Sequence, residues 1–327
     1  MNAVTQLDVL HLEQTIARYD IGELIRYWPA TNGIENSNYF LRLSRENSER
    51  EYVLTIVEQP SHSGAAYVSL LDACFEAGLP VASVIRNAEG NPYDELAGKP
   101  VLLARRLAGR HPHNPIVKQI EALARFTARF HLATARLEFP VPDYPRDADW
   151  LLDKLAITEG RLPYTSYRLL ADTVARVASL LTRRDVRGLP KGVIHGDLFR
   201  DNVLFNERGL NGVLDFHHAA TGYLIYDLAV IANDWCTDAN GTLDPERTVA
   251  LMRAYNRLRP LTRHELWFFP SFTLYAAVAF WLSRLSVALQ AQSAGNLRFN
   301  NPEEFQRIVQ QHSAHSFYLD ERLLNFE

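Results

Sequence analysis

The stretch that decides the fold runs over His195–Phe205 and reads HGDLFRDNVLF. It separates Asp197 from Asn202 by four residues, and Asp215 follows shortly afterwards in the segment VLDF. Apolar residues after Asn202 and before Asp215 predict two short strands between them. Phosphoryl transfer needs one carboxylate to take the proton of an attacking hydroxyl, and carboxylate and amide oxygens to hold Mg²⁺ against the phosphates. The spacing therefore predicts a phosphotransferase with Asp197 as the base and Asn202 and Asp215 as metal ligands.

The sequence before this stretch predicts a β-rich region. The runs NSNYFLRLS and EYVLTIVEQ, separated by polar residues, predict a hairpin over 36–57. A helix is expected over about 65–77, ended by the Gly78-Leu79-Pro80 turn, and a pair of short strands is expected around Asn87–Pro92. The run GKPVLLARRLAG then predicts a buried strand that leads into a linker near Gly109.

Apolar residues at helical spacing dominate the remainder of the chain. Helices are predicted over 116–132, 147–157, 165–183, 245–257, 263–290 and 302–315. The fold class is therefore α+β, with a small β-rich N-terminal lobe over 1–104, a connection over 105–109 and a larger helical lobe over 110–327.

Composition narrows the classes of function and the compartment. The chain has 327 residues, of which 47% are apolar and 22% charged, so it is a globular protein and not a disordered or fibrous one. With 34 basic and 38 acidic residues it lacks the basic surface of a nucleic-acid-binding protein. Two cysteines make no disulfide framework, and the N-terminus lacks the apolar core of a signal peptide, so a cytoplasmic location is expected.

The most apolar stretch extends from Leu266 to Ser283 and contains Pro270. It is short of the roughly 20 predominantly apolar residues that a spanning helix needs. We therefore expect a buried helix without a membrane partner, and we expect the binding partner to be a small-molecule substrate. The pattern assigns no oligomeric state.

The decisive stretch, with six further blocks, resembles a known superfamily, that of aminoglycoside phosphotransferases and choline kinases, which has a protein-kinase-like fold. The blocks GIENSNYF, EYVLTIVE, AGLPV, HGDLFRDNVLF, YDLAVIANDWC, AYNRLRPLT and FWLSRL resemble the bacterial type II homoserine kinases in particular. They span Gly33 to Leu285, most of the chain. The resemblance implies a two-lobed fold, with a small antiparallel sheet and a mainly helical lobe, joined by a hinge at 105–109.

The resemblance also implies roles for individual residues of the helical lobe. Asp197 is the implied catalytic base, and His195 orders the catalytic loop. Asn202 and Asp215 are the implied ligands of Mg²⁺. Asp227, in YDLA, is the implied brace that supports the catalytic loop from the following helix.

The residues expected to bind ATP come from two segments. The GIENSN turn lies where a loop covers the nucleotide phosphates in this family, and the VLLARRLAG strand matches the hinge beside the adenine. The candidates are Gly33, Asn36, Ser37 and Asn38 in the turn, and the backbone of Arg105 and Leu107 in the hinge.

One departure from the kinase pattern affects the phosphate site. Kinases of this fold place a Lys on the third strand, paired with a Glu on the next helix. Thr55 occupies that position here, and the helix offers no early Glu. Either the phosphates are held by Mg²⁺ with another cation, for which Arg42, Arg105 and Arg200 are candidates, or the chain is a weakened or non-catalytic relative.

The implied substrate, homoserine, needs a cation for its carboxylate and an acid for its ammonium group. Arg284 is the candidate carboxylate partner because it lies on an apolar helix, with an ion pair to Asp234 or another acid as the alternative. Asp234 is the candidate ammonium partner, and Asn233 and Trp235 are expected to shape the pocket. The alternatives are a kinase of choline, ethanolamine or an aminoglycoside, or a kinase-fold binding protein without turnover.

Overall fold

The computed structural model describes residues 7–30, 36–58, 64–96, 98–135, 141–293 and 301–315, together with Phe317 and Leu319. The chain divides into two compact units. The first runs from the N-terminus to Arg110 and also includes Leu204–Phe216, and the second comprises His111 to Val203 and the residues from His217 onward, apart from a short segment near residue 140. The hinge at 105–109 stays a prediction. The sequence placed the segment after Asn202 in the helical lobe, whereas in the structure it joins the first unit because Arg110 and Phe205 exchange backbone hydrogen bonds of 2.8 and 3.0 Å.

The first unit is built on an antiparallel sheet whose strand order is β1-β2-β3-β5-β4. A separate two-stranded hairpin, β7-β8, belongs mostly to it. The elements are α1 (Val9–Ile16), β1 (Glu23–Pro29), β2 (Ser37–Arg45), β3 (Ser48–Ile56), α2 (Gly64–Glu76), β4 (Tyr93–Leu96), β5 (Lys99–Arg105), β7 (Val203–Asn206) and β8 (Gly209–Val213).

The predicted β2-β3 hairpin is confirmed. Glu46 and Asn47 form its two-residue turn with φ values of 50° and 64°, a conformation that suits the twist of the two strands. Alternate residues of β2 and β3 are buried, and this face packs with α1 in a core that includes Leu12, Leu41 and Leu54. The predicted helix over 65–77 is confirmed as α2.

Two features of the first unit differ from the prediction or were not predicted. The expected strand before the Asn87–Pro92 turn is absent, because Val81 and Val84 make only isolated bridges, to Val213 and Ala104. The sequence analysis also missed α1 and β1.

The second unit is helical, with one small antiparallel sheet formed by β6 and β9. The six predicted helices are present, and α6 and α7 are additional. The elements are α3 (Val117–Thr134), α4 (Ala148–Thr158), α5 (Tyr164–Thr182), α6 (Arg184–Arg187), β6 (Lys191–Ile194), β9 (Ala220–Tyr223), α7 (Leu224–Trp235), α8 (Pro245–Asn256), α9 (Arg263–Ser293) and α10 (Glu303–Ala314).

The helix α9 forms the centre of the second unit. Thr262 and Glu265 start it with reciprocal side-chain to backbone hydrogen bonds of 2.9 and 3.1 Å, a capping box. Among the described residues it is the one helix long and apolar enough to cross a membrane, but 78% of its most apolar stretch is buried inside the protein. Phe269, Phe272 and Trp281 are buried on it, as expected for a core helix.

A buried histidine gives a testable pH dependence of stability. Burial lowers the pKa of His312, on α10, from 6.5 to about 4, and its Nε2–H donates to Asn233 Oδ1 at 2.8 Å. The unfolded chain therefore binds a proton that the folded chain rejects between these values, so this contribution to stability falls as the pH falls from 6.5 to 4. We expect wild type to lose about 3 kcal/mol more unfolding free energy than His312→Gln between pH 7 and pH 4.

Urea unfolding followed by circular dichroism at a series of pH values measures this difference. His264→Gln, which replaces an exposed histidine, is the matched control. Parallel pH profiles for wild type and His312→Gln would contradict the expectation.

Candidate active site

The decisive stretch forms a loop that leaves β6 and enters β7 through a short 3₁₀ turn at Arg200–Asn202. Gly196 has a φ of +77°, in the left-handed region that favours glycine. A Cβ built there would lie 3.2 Å from Tyr144 Cε2 and 3.3 Å from the carbonyl oxygen of His218. Both the backbone conformation and the lack of space therefore require glycine beside Asp197.

The fully buried carboxylate of Asp227, in the first turn of α7, holds the start of this loop. Its Oδ2 accepts the backbone N–H of His195 and its Oδ1 accepts that of Gly196, both at 2.8 Å. Oδ2 also lies 3.0 Å from His131 Nε2, and the other ring nitrogen of His131 lies 2.7 Å from the Tyr255 hydroxyl. These are the contacts expected of a residue that braces the catalytic loop.

Asn202 and Asp197 are brought together within the loop. Asn202 Nδ2 donates to the carbonyl oxygen of Asp197 and to its Oδ2, each at 2.8 Å. The ring nitrogen Nδ1 of His195 accepts the backbone N–H of Asp197 at 3.3 Å. The loop therefore fixes the carboxylate of Asp197 and turns the amide oxygen of Asn202 away from it.

Asp215 follows β8 and belongs to the first unit. Its φ of 60° lies in the left-handed region, which Asp tolerates better than most residues with a side chain. Burial raises the pKa of Tyr67 on α2, and the negative charge of Asp215 raises it further. The carboxylate of Asp215 is therefore close to α2.

The candidate ATP-binding residues of the GIENSN segment do not all lie on the same face of the sheet. Gly33 lies outside the described residues. Ser37 is buried and its hydroxyl donates to Glu58, while the amide oxygen of Asn36 accepts the backbone N–H of Glu58 at 3.3 Å. Asn38, one residue further along the strand, points to the opposite face, where its amide oxygen accepts the hydroxyl of Thr55 at 2.7 Å.

This second face of the sheet carries the position where kinases place a lysine. Thr55 and Asn38 are opposite each other in the β2-β3 ladder, and Arg42 lies further along β2, opposite Glu51. Arg42 Nη2 lies 2.7 Å from Glu51 Oε1. Hydrogen bonds from Arg42 lower the pKa of Glu51, so this candidate phosphate contact is held in a cross-strand ion pair.

The predicted hinge residues lie at the end of β5. Arg105 is the last residue of that strand and is opposite Tyr52. Within the described part of the chain, no hydrogen bond involves the backbone of Leu107. That backbone is therefore the better placed of the two to bind an adenine edge.

The residues predicted for the substrate are held by other protein groups. Both carboxylate oxygens of Asp234 bind Arg200, at 3.0–3.1 Å, and one also accepts the backbone N–H of Arg200 at 2.8 Å. Burial raises the pKa of Asp234 although Arg200 opposes this. Asn233 and Trp235 are buried, and they donate to the carbonyl oxygens of Thr273 and Leu198 at 2.8 and 3.0 Å.

Arg284 forms the ion pair that the sequence analysis kept as its alternative. Its Nη1 lies 2.6 Å from Glu304 Oε2 and donates to the carbonyl oxygen of Asn301 at 3.1 Å. The guanidinium lies over the ring of Phe305, 4.5 Å from its centre. A charge on the apolar helix α9 is thus explained by its neighbours on and before α10.

Sequence reasoning missed three residues beside the loop: His131, Tyr144 and Arg146. His131 lies in α3, and its position in that helix gives no sign of its contact with Asp227. Tyr144 and Arg146 precede α4 in a segment without periodicity. Only the tertiary structure brings that segment to Gly196 and to the aromatic residues of α9.

Comparison with known families identifies the class of this loop. Residues 28–261 match the model of the phosphotransferase enzyme family. The matched range covers well over half of the chain, including the loop, its brace and the residues that precede α9.

Proteins named homoserine kinases match over nearly the whole chain. The chain is 39% identical to a homoserine kinase of Pseudomonas aeruginosa over 316 residues, covering 96% of this chain and 98% of the relative. It is 34% identical to a homoserine kinase of Methylobacillus flagellatus, covering 99% and 98%. The similarity to these relatives therefore extends over nearly the full length of the chain and is not confined to the loop.

Solved structures share the fold. An amicoumacin kinase, determined in complex with AMP-PNP, Ca²⁺ and Ami, superposes with a TM-score of 0.68 at 15% identity, over 94% of this chain and 92% of that one. A spectinomycin phosphotransferase, determined with ADP and spectinomycin, superposes with a TM-score of 0.69 at 12% identity, over 95% and 99%. The kinase-like α+β fold expected from the sequence is confirmed.

The hydrogen bonds that Asp227 accepts predict that an isosteric substitution there destabilises the protein strongly. In Asp227→Asn one carboxylate oxygen becomes an NH₂ donor that faces N–H donors, which leaves buried groups unsatisfied. We expect the free energy of unfolding to fall by about 3 kcal/mol, measured by urea denaturation. Asp244→Asn, in which the N-cap acceptor of α8 is kept, is the control and should cost less than about 1 kcal/mol. Equal losses in the two variants would contradict the assigned role of Asp227.

Proposed function

Since the chain belongs to the phosphotransferase enzyme family and matches homoserine kinases along nearly its whole length, we propose that it phosphorylates the side-chain hydroxyl of L-homoserine with ATP. The products are O-phosphohomoserine and ADP, a step of threonine biosynthesis in the cytoplasm. The observation that carries the proposal is the braced loop in which Asn202 orients the carboxylate of Asp197.

Asp197 is the catalytic base of this proposal. Its carboxylate takes the proton of the substrate hydroxyl while the hydroxyl oxygen forms a bond to the γ-phosphorus of ATP. The bond between the γ-phosphorus and the bridging oxygen breaks, and ADP leaves with that oxygen. His195 and Asp227 act on the backbone of the loop, so their contribution is to keep Asp197 in position.

The donor set suits a divalent cation, which we propose to be Mg²⁺. The amide nitrogen of Asn202 donates two hydrogen bonds to Asp197, so the amide oxygen of Asn202 is left to bind a cation. Asp215 would supply a carboxylate oxygen as a second ligand. Amide and carboxylate oxygens are the ligands that Mg²⁺ prefers. When bound, the ion neutralises charge on the β- and γ-phosphates.

The nucleotide is proposed to contact Asn38 and the backbone of Leu107. Thr55 stands where other kinases have a lysine, so the phosphates need a cation from elsewhere. The candidates Arg42 and Arg200 are engaged by Glu51 and Asp234, and either would have to exchange that partner for a phosphate. The metal therefore has the larger share of phosphate binding in this proposal.

The substrate assignment is tested by ADP release with Mg-ATP. The panel is L-homoserine, L-serine, L-threonine, choline, ethanolamine and kanamycin. We expect kcat/KM for L-homoserine to exceed that for every other compound by at least about 100-fold. Within the panel, homoserine alone has a primary hydroxyl two carbons from the α-carbon that bears its ammonium and carboxylate groups. Preference for choline or kanamycin would keep the catalytic residues and overturn the substrate. No turnover on any compound would favour a non-catalytic binding protein.

The role of Asp197 is tested by Asp197→Asn. The variant keeps the size of the side chain and loses the base, so we expect kcat to fall by about 100-fold or more while the affinity for ATP is unchanged. Asp201→Asn, an equal change of charge at an exposed position of the same loop, is the control. Turnover above a few per cent of wild type in Asp197→Asn would refute the assignment.

A further inference from the structure

Arg146 is held in an unusual position next to the catalytic loop. It immediately precedes Asp147, the N-cap of α4. The hydroxyl of Tyr275, on α9, donates to the backbone carbonyl oxygen of Arg146 at 2.5 Å. The backbone is thereby fixed between two helices, and the long side chain starts from a defined point.

The guanidinium of Arg146 lies among aromatic side chains. It is stacked over the ring of Phe280, 4.3 Å from the centre, and lies 5.7 Å from that of Trp150. Its Nη1 is buried and has no hydrogen-bond partner among the described residues. A buried N–H of a charged group that lacks an acceptor costs free energy, and a ligand with an anionic oxygen would remove that cost.

The surroundings keep this group charged. Burial acts against the charged form, but the negative charge of Asp197 favours it, and the pKa of Arg146 is raised above its ordinary value. Burial raises the pKa of both tyrosines, so they are neutral hydroxyls, and Tyr144 donates to Tyr226 at 2.7 Å. The cluster therefore offers a permanent positive charge whose buried Nη1 has no acceptor among the described residues.

The same cluster lies against the catalytic loop. The ring of Tyr144 is next to Gly196, where a Cβ would come within 3.2 Å of it, and Asp197 is the next residue. Asp197 would repel a carboxylate and accept a hydroxyl, whereas Arg146 would attract the carboxylate. The two charges together would therefore orient a small hydroxy acid with its hydroxyl toward the base.

We propose that Arg146 binds the carboxylate of the substrate and so selects hydroxy amino acids over hydroxy amines. The inference rests on the proposed function, because it names the residue that recognises one end of L-homoserine. The planar fork of Arg suits a carboxylate. Arg284, the residue suggested by the sequence, is instead paired with Glu304.

The test compares two substrates that differ only in the carboxylate. L-homoserine and 3-aminopropan-1-ol share the hydroxyl, the amine and the carbon chain between them, and ADP release gives kcat/KM for each. In Arg146→Met we expect kcat/KM for L-homoserine to fall by about 100-fold or more, mainly through KM, and that for 3-aminopropan-1-ol to change less than about 3-fold. Arg146→Lys keeps the charge without the fork, and we expect a loss of about 10-fold for L-homoserine.

Two controls separate recognition from folding. Arg183→Met removes an exposed guanidinium that also lies over an aromatic ring, that of Phe268, and should leave both substrates unaffected. Thermal unfolding by circular dichroism checks that the variants are folded. If Arg146→Met or Arg146→Lys, while folded, lowers kcat/KM equally for both substrates, or if Arg284→Met shows the selective loss instead, the inference is overturned.

Failure of the proposed function has a different signature. Wild-type enzyme that uses 3-aminopropan-1-ol as efficiently as L-homoserine would refute the substrate assignment before any variant is compared, and with it the need for a carboxylate partner. Wild type that prefers L-homoserine, combined with unchanged kinetics in Arg146→Met, would refute the role of Arg146 alone.

Discussion

The geometry of the candidate active site depends on one buried carboxylate. Asp227 accepts the backbone N–H groups of His195 and Gly196, and His131 supports it from α3. Two of these hydrogen bonds join α7 to the loop and the third joins α3 to α7, so the position of Asp197 is set by α7, which α3 supports. A buried charge is tolerated here because several donors satisfy it. Removing the charge would weaken both the attachment of the loop to α7 and that of α7 to α3.

The parts of the site that could be predicted are those whose proximity follows from their spacing along the chain. Asp197 and Asn202 share one loop, so their spacing alone brings them together, and the role of Asp227 followed from a resemblance over the same stretch. The β2-β3 hairpin was predictable because alternation and a two-residue turn act locally. That alternation also puts Ser37 and Asn38 on opposite faces of the sheet. The sequence analysis had assigned both residues to ATP binding because it treated the GIENSN segment as a single turn.

The substrate side could not be predicted because it depends on contacts between distant segments. Arg284 was correctly recognised as a charge that needs a partner, but that partner, Glu304, lies on α10 and leaves no sign in the sequence around α9. Asp234 forms an ion pair with Arg200, which lies in the loop that contains Asp197. Arg146 gives no signal of its own, because the segment before α4 lacks periodicity and is placed beside the loop by backbone hydrogen bonds to Thr221 of β9 and by contacts with α9.

The placement of Arg146 has a consequence for how such an enzyme diversifies. In the proposals above, the base, the metal ligands and their brace lie between β6 and the first turn of α7, whereas the carboxylate partner lies in the connection before α4. On these proposals, substitutions in that short connection would change which hydroxyl compound is accepted and would leave the chemical step intact. The same scaffold would then suit kinases of other small molecules, because the group that selects the substrate and the groups that carry out the reaction lie on separate segments.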